Sequence, residues 1–285
     1  MKISRDSALT LSVFLSFVTL FYIVGFWLIF RMAQATPLML SVGFATIATC
    51  LVRRKKLSSL GWKWGAWKYQ WMSYLIPFFI VLSAYSLIWI LGFGDFYNID
   101  FLAEKKESYN LNDWSDLSIF MFHFTLMALA SFVVSLPSIL GEEMGWRGLL
   151  VPELSKSMSF TGVVLVSGVI WSMFHWPLIF YGMYGNQTTS MYFQLFCFTL
   201  FIISTGTIMA YIRLKTNSLW TAVTYHASSN IFIQKVFNPM TVEKDVSLFF
   251  VDEFGIVLAI VASCVAFFFW RKGRAEFNQM GGMQS

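Results

Sequence analysis

The sequence predicts an all-α polytopic membrane protein, a single bundle of about eight transmembrane helices around an intramembrane polar cavity. Three observations carry this. Hydrophobic residues fill 57% of the 285 positions, charged residues only 12%, and 31 Phe raise the aromatic share to 19%, a mix foreign to soluble domains. The apolar residues fall in eight runs, most of them long enough to cross a hydrocarbon layer of about 30 Å at about 1.5 Å per residue. The Lys and Arg lie between those runs and form no continuous patch, so the net charge of +5 is a topology signal and not a nucleic-acid footprint. No repeat, low-complexity run or Pro/Gly/Ser-rich linker divides the chain, and residues 1–285 are expected to form one domain.

The first run, about Ala8 to Phe30, follows Lys2 and Arg5. Ala33-Gln34-Ala35 resembles a signal-peptidase site, but the run before it is too long for a signal segment and ends in Arg31, so a retained first helix is expected. Pro37 opens a second run that ends near Val52 at Arg53-Arg54-Lys55-Lys56, the densest basic cluster and an expected cytoplasmic marker. Residues 57–71 follow, where Trp62, Trp64, Trp67 and Trp71 alternate with Lys63 and Lys68 as at headgroup depth, an expected interfacial segment. The third run, about Met72 to Phe93, leads into the longest polar connection, Gly94 to about Asp116.

The fourth run, about Leu117 to Val151, is interrupted only by Pro137 and Gly141 and is too long for one straight span. A kink at Pro137, or a start nearer Phe124, would bury Glu142 and Glu143, whereas an end at Leu140 would leave them near the cytoplasmic surface; burial is expected. After Lys156 come a fifth run from about Phe160 to Tyr181, with His175, and a sixth that ends near Ile212 and is closed by Arg213 and Lys215. The seventh, about Ser218 to Phe237, holds His226 and Asn230, and the eighth, about Phe249 to Trp270, is closed by Arg271, Lys272 and Arg274.

Alternating these helices from an inside N-terminus leaves only Arg31, Lys105, Lys106, Lys235 and Lys244 on the outer side, with Arg147 inside the membrane. That bias predicts a multi-pass protein of the plasma membrane with both termini cytoplasmic. Cys50, Cys197 and Cys264 all lie in apolar runs without ligand spacing, and read as small buried hydrophobes.

The unusual stretch is Gly141-Glu142-Glu143-Met144-Gly145-Trp146-Arg147. A charge near the bilayer centre costs about 2.5–3.5 kcal/mol on insertion scales, so such groups pair or face a wet cavity. Glu143 and Arg147 stand one helical turn apart and share a face, while Glu142 points about 100° away and needs partners from elsewhere. Of the three histidines, His123 has no polar context, but Trp171 and His175 share a helical face, as do His226 and Asn230. Carboxylates, a guanidinium, two imidazoles and an amide would be expensive in lipid unless they cluster. A polar network that merely specifies helix packing is the plainer reading.

The ordered motifs Glu142-Glu143-x-x-x-Arg147, Trp171-x-x-x-His175 and His226-x-x-x-Asn230 resemble those of the CAAX-protease and bacteriocin-processing (CPBP, or Abi) family of intramembrane proteases. The resemblance covers about residues 119–237, the expected catalytic core; Trp171 stands where the family usually has Phe. It implies an endopeptidase acting on a membrane-anchored protein or peptide within the lipid bilayer, with no nucleic acid partner. It further implies that Glu142 and His175 activate a water, that His226 and Asn230 stabilise the oxyanion, and that Arg147 holds Glu143. No cofactor is implied, although zinc on Glu142, His175 and His226 is the alternative mechanism; no His-Glu-x-x-His is present. A transporter, immunity protein or scaffold is the alternative from another class, and the absence of repeats weighs against transport.

Overall fold

The computed structural model describes residues 4–32 and 36–281, with side chains to 277; Lys2 and the Ala33-Gln34-Ala35 triplet lie outside them. Among the described residues the long helices are α1 (Arg5–Met32), α2 (Thr36–Val52), α3 (Trp67–Ile90), α5 (Asp116–Ser155), α6 (Phe160–Phe180), α7 (Met191–Thr216), α8 (Leu219–Ile231) and α9 (Ile256–Gly281). A π-helical turn, Phe232–Phe237, extends α8, and the short α4 (Ile99–Ser108) lies outside the bundle proper. Six of these are long and apolar enough to cross a membrane on their own, while α2 and α8 are shorter. Large apolar side chains such as Ile23, Ile90, Val134 and Phe196 stay exposed, which in water would be a liability and in lipid is the rule. The chain is an all-α polytopic membrane protein.

The bundle is built around the helix that carries the charged motif. α5 is not broken at Pro137: it runs through that residue as one helix, interrupted only by π turns at Met127–Ser131 and Met144–Leu150. At about 1.5 Å per residue its 40 residues would reach about 60 Å, twice the hydrocarbon thickness, so the long apolar run is neither shortened nor cut. Small residues bring α2 onto it at the motif. A Cβ on Gly43 would stand 3.0 Å from the backbone of Gly141, and one on Gly145 only 2.3 Å from Val42, so glycine permits an approach that any side chain would push apart. Buried Phe14 of α1 packs edge-on to Trp146 and closes the same wall.

The connection after α3, expected to be merely polar, is structured. β1 (Gly94–Phe96) pairs antiparallel with β2 (Thr241–Glu243), Gly94 opposite Glu243. The Asn98 side chain caps α4 by accepting from the Phe101 backbone N–H, and Leu102, Ile119 and Met240 bury a small core of their own beneath it. His123 is held between the Tyr109 hydroxyl and the Lys235 carbonyl, a hydrogen-bonded structural position. Cys50 and Cys197 are buried as expected, but Cys264 is exposed, because it sits on the outward face of α9, where an apolar run faces lipid and not the core.

The aromatic segment 57–71 is strapped to the start of α8. Leu219 N–H donates to the Gly61 carbonyl, Trp220 Nε1 to that of Trp62, and Ser218 Oγ to that of Trp64. Trp62, Trp64, Trp67 and Trp220 make a continuous ring cluster with exposed edges.

Candidate active site

Glu143 is fully buried and anchored from two helices. Arg147 Nη1 lies 2.9 and 3.2 Å from its two carboxylate oxygens, and His226 Nδ1 lies 2.9 Å from Oε1. The helical spacing on α5 produces the first contact, and the packing of α8 against α5 produces the second. A carboxylate only accepts, so His226 Nδ1 carries the hydrogen and Nε2 is the nitrogen left for other work.

Glu142 turns the other way. Its Oε2 accepts from Trp171 Nε1 at 3.3 Å, and the carboxylate faces a cavity of about 430 Å³. The guanidinium of Arg147 stacks 3.9 Å from the centre of the Trp171 ring, so one tryptophan ties both carboxylates' partners together. One turn along α6, His175 Nδ1 is 3.1 Å from the Trp171 carbonyl. A carbonyl also only accepts; Nδ1 therefore holds the hydrogen, and the free Nε2 of a neutral ring has a lone pair.

Glu142, His175, His226 and Asn230 all line the cavity, together with Trp171, Tyr184 and Glu253. Glu143 and Arg147 do not; they lie behind its wall, against His226 and Trp171. The six residues singled out in the sequence thus converge on one place but divide into four that face the cavity and two that support them. The sequence-based assignment of His226 as a donor requires both ring nitrogens to be protonated, since Nδ1–H is already committed to Glu143.

Several neighbours were not foreseen. Trp171 was expected only to wall the imidazole, yet it donates to Glu142. Gln234 continues the face of His226 and Asn230 by one further turn, a spacing visible in the sequence, and it also lines the cavity. The sequence context of Arg213 predicts a helix-closing cytoplasmic charge. It is instead buried, donating from Nε to the Arg147 carbonyl at 2.8 Å, from Nη2 to the Leu60 carbonyl at 3.1 Å and from Nη1 to Asn217 Oδ1 at 2.7 Å. Nothing in its sequence context separates it from a surface arginine; only the meeting of three segments does.

Among the described residues no group of three His, Cys, Asp or Glu side chains is arranged to hold a metal ion. Each imidazole has already committed its Nδ1, leaving one nitrogen apiece for the cavity.

Fold and site together define a polytopic helical membrane protein with a cavity lined by glutamate, histidine and asparagine within its bundle. Residues 122–232 match the family described as type II CAAX prenyl endopeptidase, Rce1-like. The chain is also similar to CAAX prenyl protease 2 of Methanococcus maripaludis, 32% identical over 94 residues. That similarity takes in 32% of this chain and 34% of the relative, so the chain spans about a third of the curated relative's length. Trp171, His175, His226 and Asn230 all fall within the matched residues, as do Glu142, Glu143 and Arg147.

Proposed function

We propose that this protein is an intramembrane endopeptidase that hydrolyses a peptide bond in a membrane-associated protein or peptide. The observation that supports it most is the convergence of Glu142, His175, His226 and Asn230, from three helices, on one cavity. A packing network has no need of a 430 Å³ cavity at the place where these ionisable groups meet.

The protonation pattern supports the following steps. His175 Nε2 accepts a hydrogen bond from a water and holds it, while Glu142 takes the other proton as oxygen attacks the scissile carbonyl. The developing oxyanion meets His226 Nε2–H and the Asn230 amide, groups fixed before the reaction. Glu142 then returns its proton to the departing amine nitrogen, and the C–N bond breaks. Glu143 is the counter-charge of the imidazolium at His226, and Arg147 holds Glu143 in place. The family's name suggests substrates that carry a prenyl group; the bilayer is the solvent in which any such substrate is presented.

Purified protein in detergent, given membrane-anchored peptides with and without a prenyl chain and read by mass, tests this. Cleavage that survives a chelator and disappears in Glu142→Gln is the expected result. Cleavage lost to chelator and restored by zinc would replace the glutamate mechanism with a metal one, and cleavage undiminished in Glu142→Gln would overturn the assignment.

A further inference from the structure

The cavity has a second acidic pole that the hydrolytic steps do not use. Glu253, in the turn before α9, is 5% exposed and lines the same cavity as Glu142. Two donors reach it, the Tyr184 hydroxyl at 2.5 Å and Gln234 Nε2 at 2.8 Å, and both fall on Oε1. Among the described residues no hydrogen bond and no Lys or Arg reaches Oε2, although the side chain is more than nine-tenths buried. Tyr184 keeps its proton, its hydroxyl pushed well above the ordinary range by burial and by the neighbouring Glu253, so it is the donor in that contact.

Among the described residues no Lys or Arg lines the cavity. The positive charge of Arg147 lies behind the wall and is spent on Glu143. With two carboxylates in the cavity lining, and with the doubly protonated His226 of the proposed mechanism already paired with Glu143, the Glu253 end favours a cation from outside, since a buried carboxylate gains most from a charge-assisted hydrogen bond.

We infer that Glu253 is a substrate-binding residue that accepts a positively charged group, a Lys or Arg side chain or a free amino terminus, close to the peptide bond that is cut. This deepens the proposed peptidase reading and rests on it. The distance to the reacting centre is short: Tyr184 Oη touches Glu253, and the Tyr184 ring stands 6.1 Å from that of His175. That gap corresponds to one to three residues of extended chain at roughly 3.4 Å each. Gln234 ties Glu253 to the same helical face as His226 and Asn230, so the cation site and the oxyanion site are held by one element.

The test uses the full-length protein and a set of membrane-anchored peptides in which each of the three positions on either side of the cut is in turn Lys, norleucine or Glu. The parent is expected to show kcat/KM about tenfold or more higher for Lys than for norleucine at one position, chiefly through KM, with Glu the poorest. Glu253→Gln, which keeps an acceptor for Tyr184, should bring the Lys and norleucine values within about threefold, and Glu253→Asp should restore part of the preference. Binding of the Lys peptide to Glu142→Gln, read by fluorescence anisotropy, should weaken when Glu253→Gln is added. No cleavage of any peptide would count against the peptidase reading. Cleavage with no preference for Lys at any position in the parent, or a preference that Glu253→Gln retains, would overturn the role of Glu253 alone. If Glu253→Gln does not fold, the parent series still decides.

Discussion

Trp171 donates its indole N–H to Glu142 while the guanidinium of Arg147 lies 3.9 Å from its ring centre. One side chain therefore contacts both the carboxylate that faces the cavity and the cation that holds its neighbour. Replacing it with Phe keeps a ring for Arg147 and removes the donor. A hydrogen bond to a charged group is worth about 1.5–3 kcal/mol. Trp171→Phe is expected to lower kcat roughly tenfold or more with little change in melting temperature, measured by peptide cleavage and by thermal denaturation in detergent.

Arg147 and Glu142 should fail differently. Removing Arg147 strands Glu143, and breaking one side of a buried pair costs about 3–5 kcal/mol. Arg147→Ala should lose both folded yield and activity, whereas Glu142→Gln keeps yield and loses activity. Equal thermal stability of Arg147→Ala and the parent would remove the pairing argument.

Glu142 and His175 are assigned to one water and should behave as a unit. Either Glu142→Gln or His175→Ala alone should abolish most of the single-turnover rate, and the double variant should be little worse. Asn230→Ala should slow turnover by about two to three orders of magnitude and leave substrate binding nearly unchanged, because its amide serves a charge present only in the transition state. Additive losses for Glu142 and His175 would contradict a shared role.

Asp252 offers a pH signature outside the spans. Burial and the adjacent Glu253 push its carboxyl well above the usual range. The folded state thus binds more protons than the unfolded one, so this group's contribution to stability falls as pH rises from about 3.8, the ordinary value, towards the raised one. Asp252→Asn should flatten that decline and raise the melting temperature at neutral pH. Asn also tolerates the left-handed backbone found there, φ 53°. An unchanged pH profile would show that Asp252 is not the group responsible.

Topology is testable without activity. Reporter fusions after Lys56 and after Arg274 are both expected to report the cytoplasmic side; an outer signal from either would refute the alternation of helices.

Much of the bundle was legible because lipid enforces simple rules. Apolar runs, several of them closed by Arg or Lys, mark the long helices, and residues one turn apart gave the Glu143–Arg147 contact directly. What escaped notice depends on segments distant in sequence. Gly94–Phe96 is too short to announce a strand and needs Thr241–Glu243 to become one. Arg213 resembles any helix-ending arginine until Leu60 and Arg147 are beside it. His226 Nδ1 is committed by Glu143, a partner 83 residues away in the chain. Cys264 shows the converse error: apolar context signals lipid as readily as core, and periodicity in an all-apolar helix does not say which.

The Arg213 bridge has a mechanical consequence. Its guanidinium clamps the backbone of Arg147 to that of Leu60, and from Leu60 the chain runs straight into the tryptophan cluster. Where those indoles settle at the headgroup boundary, the cavity is carried to a set distance beneath it, like a blade fixed to a ruler. A substrate bond would then be selected by how deep it lies as much as by what flanks it. Lengthening a substrate's anchor by one helical turn should move the cut by about one turn, and thinning the bilayer should act as shortening the anchor does.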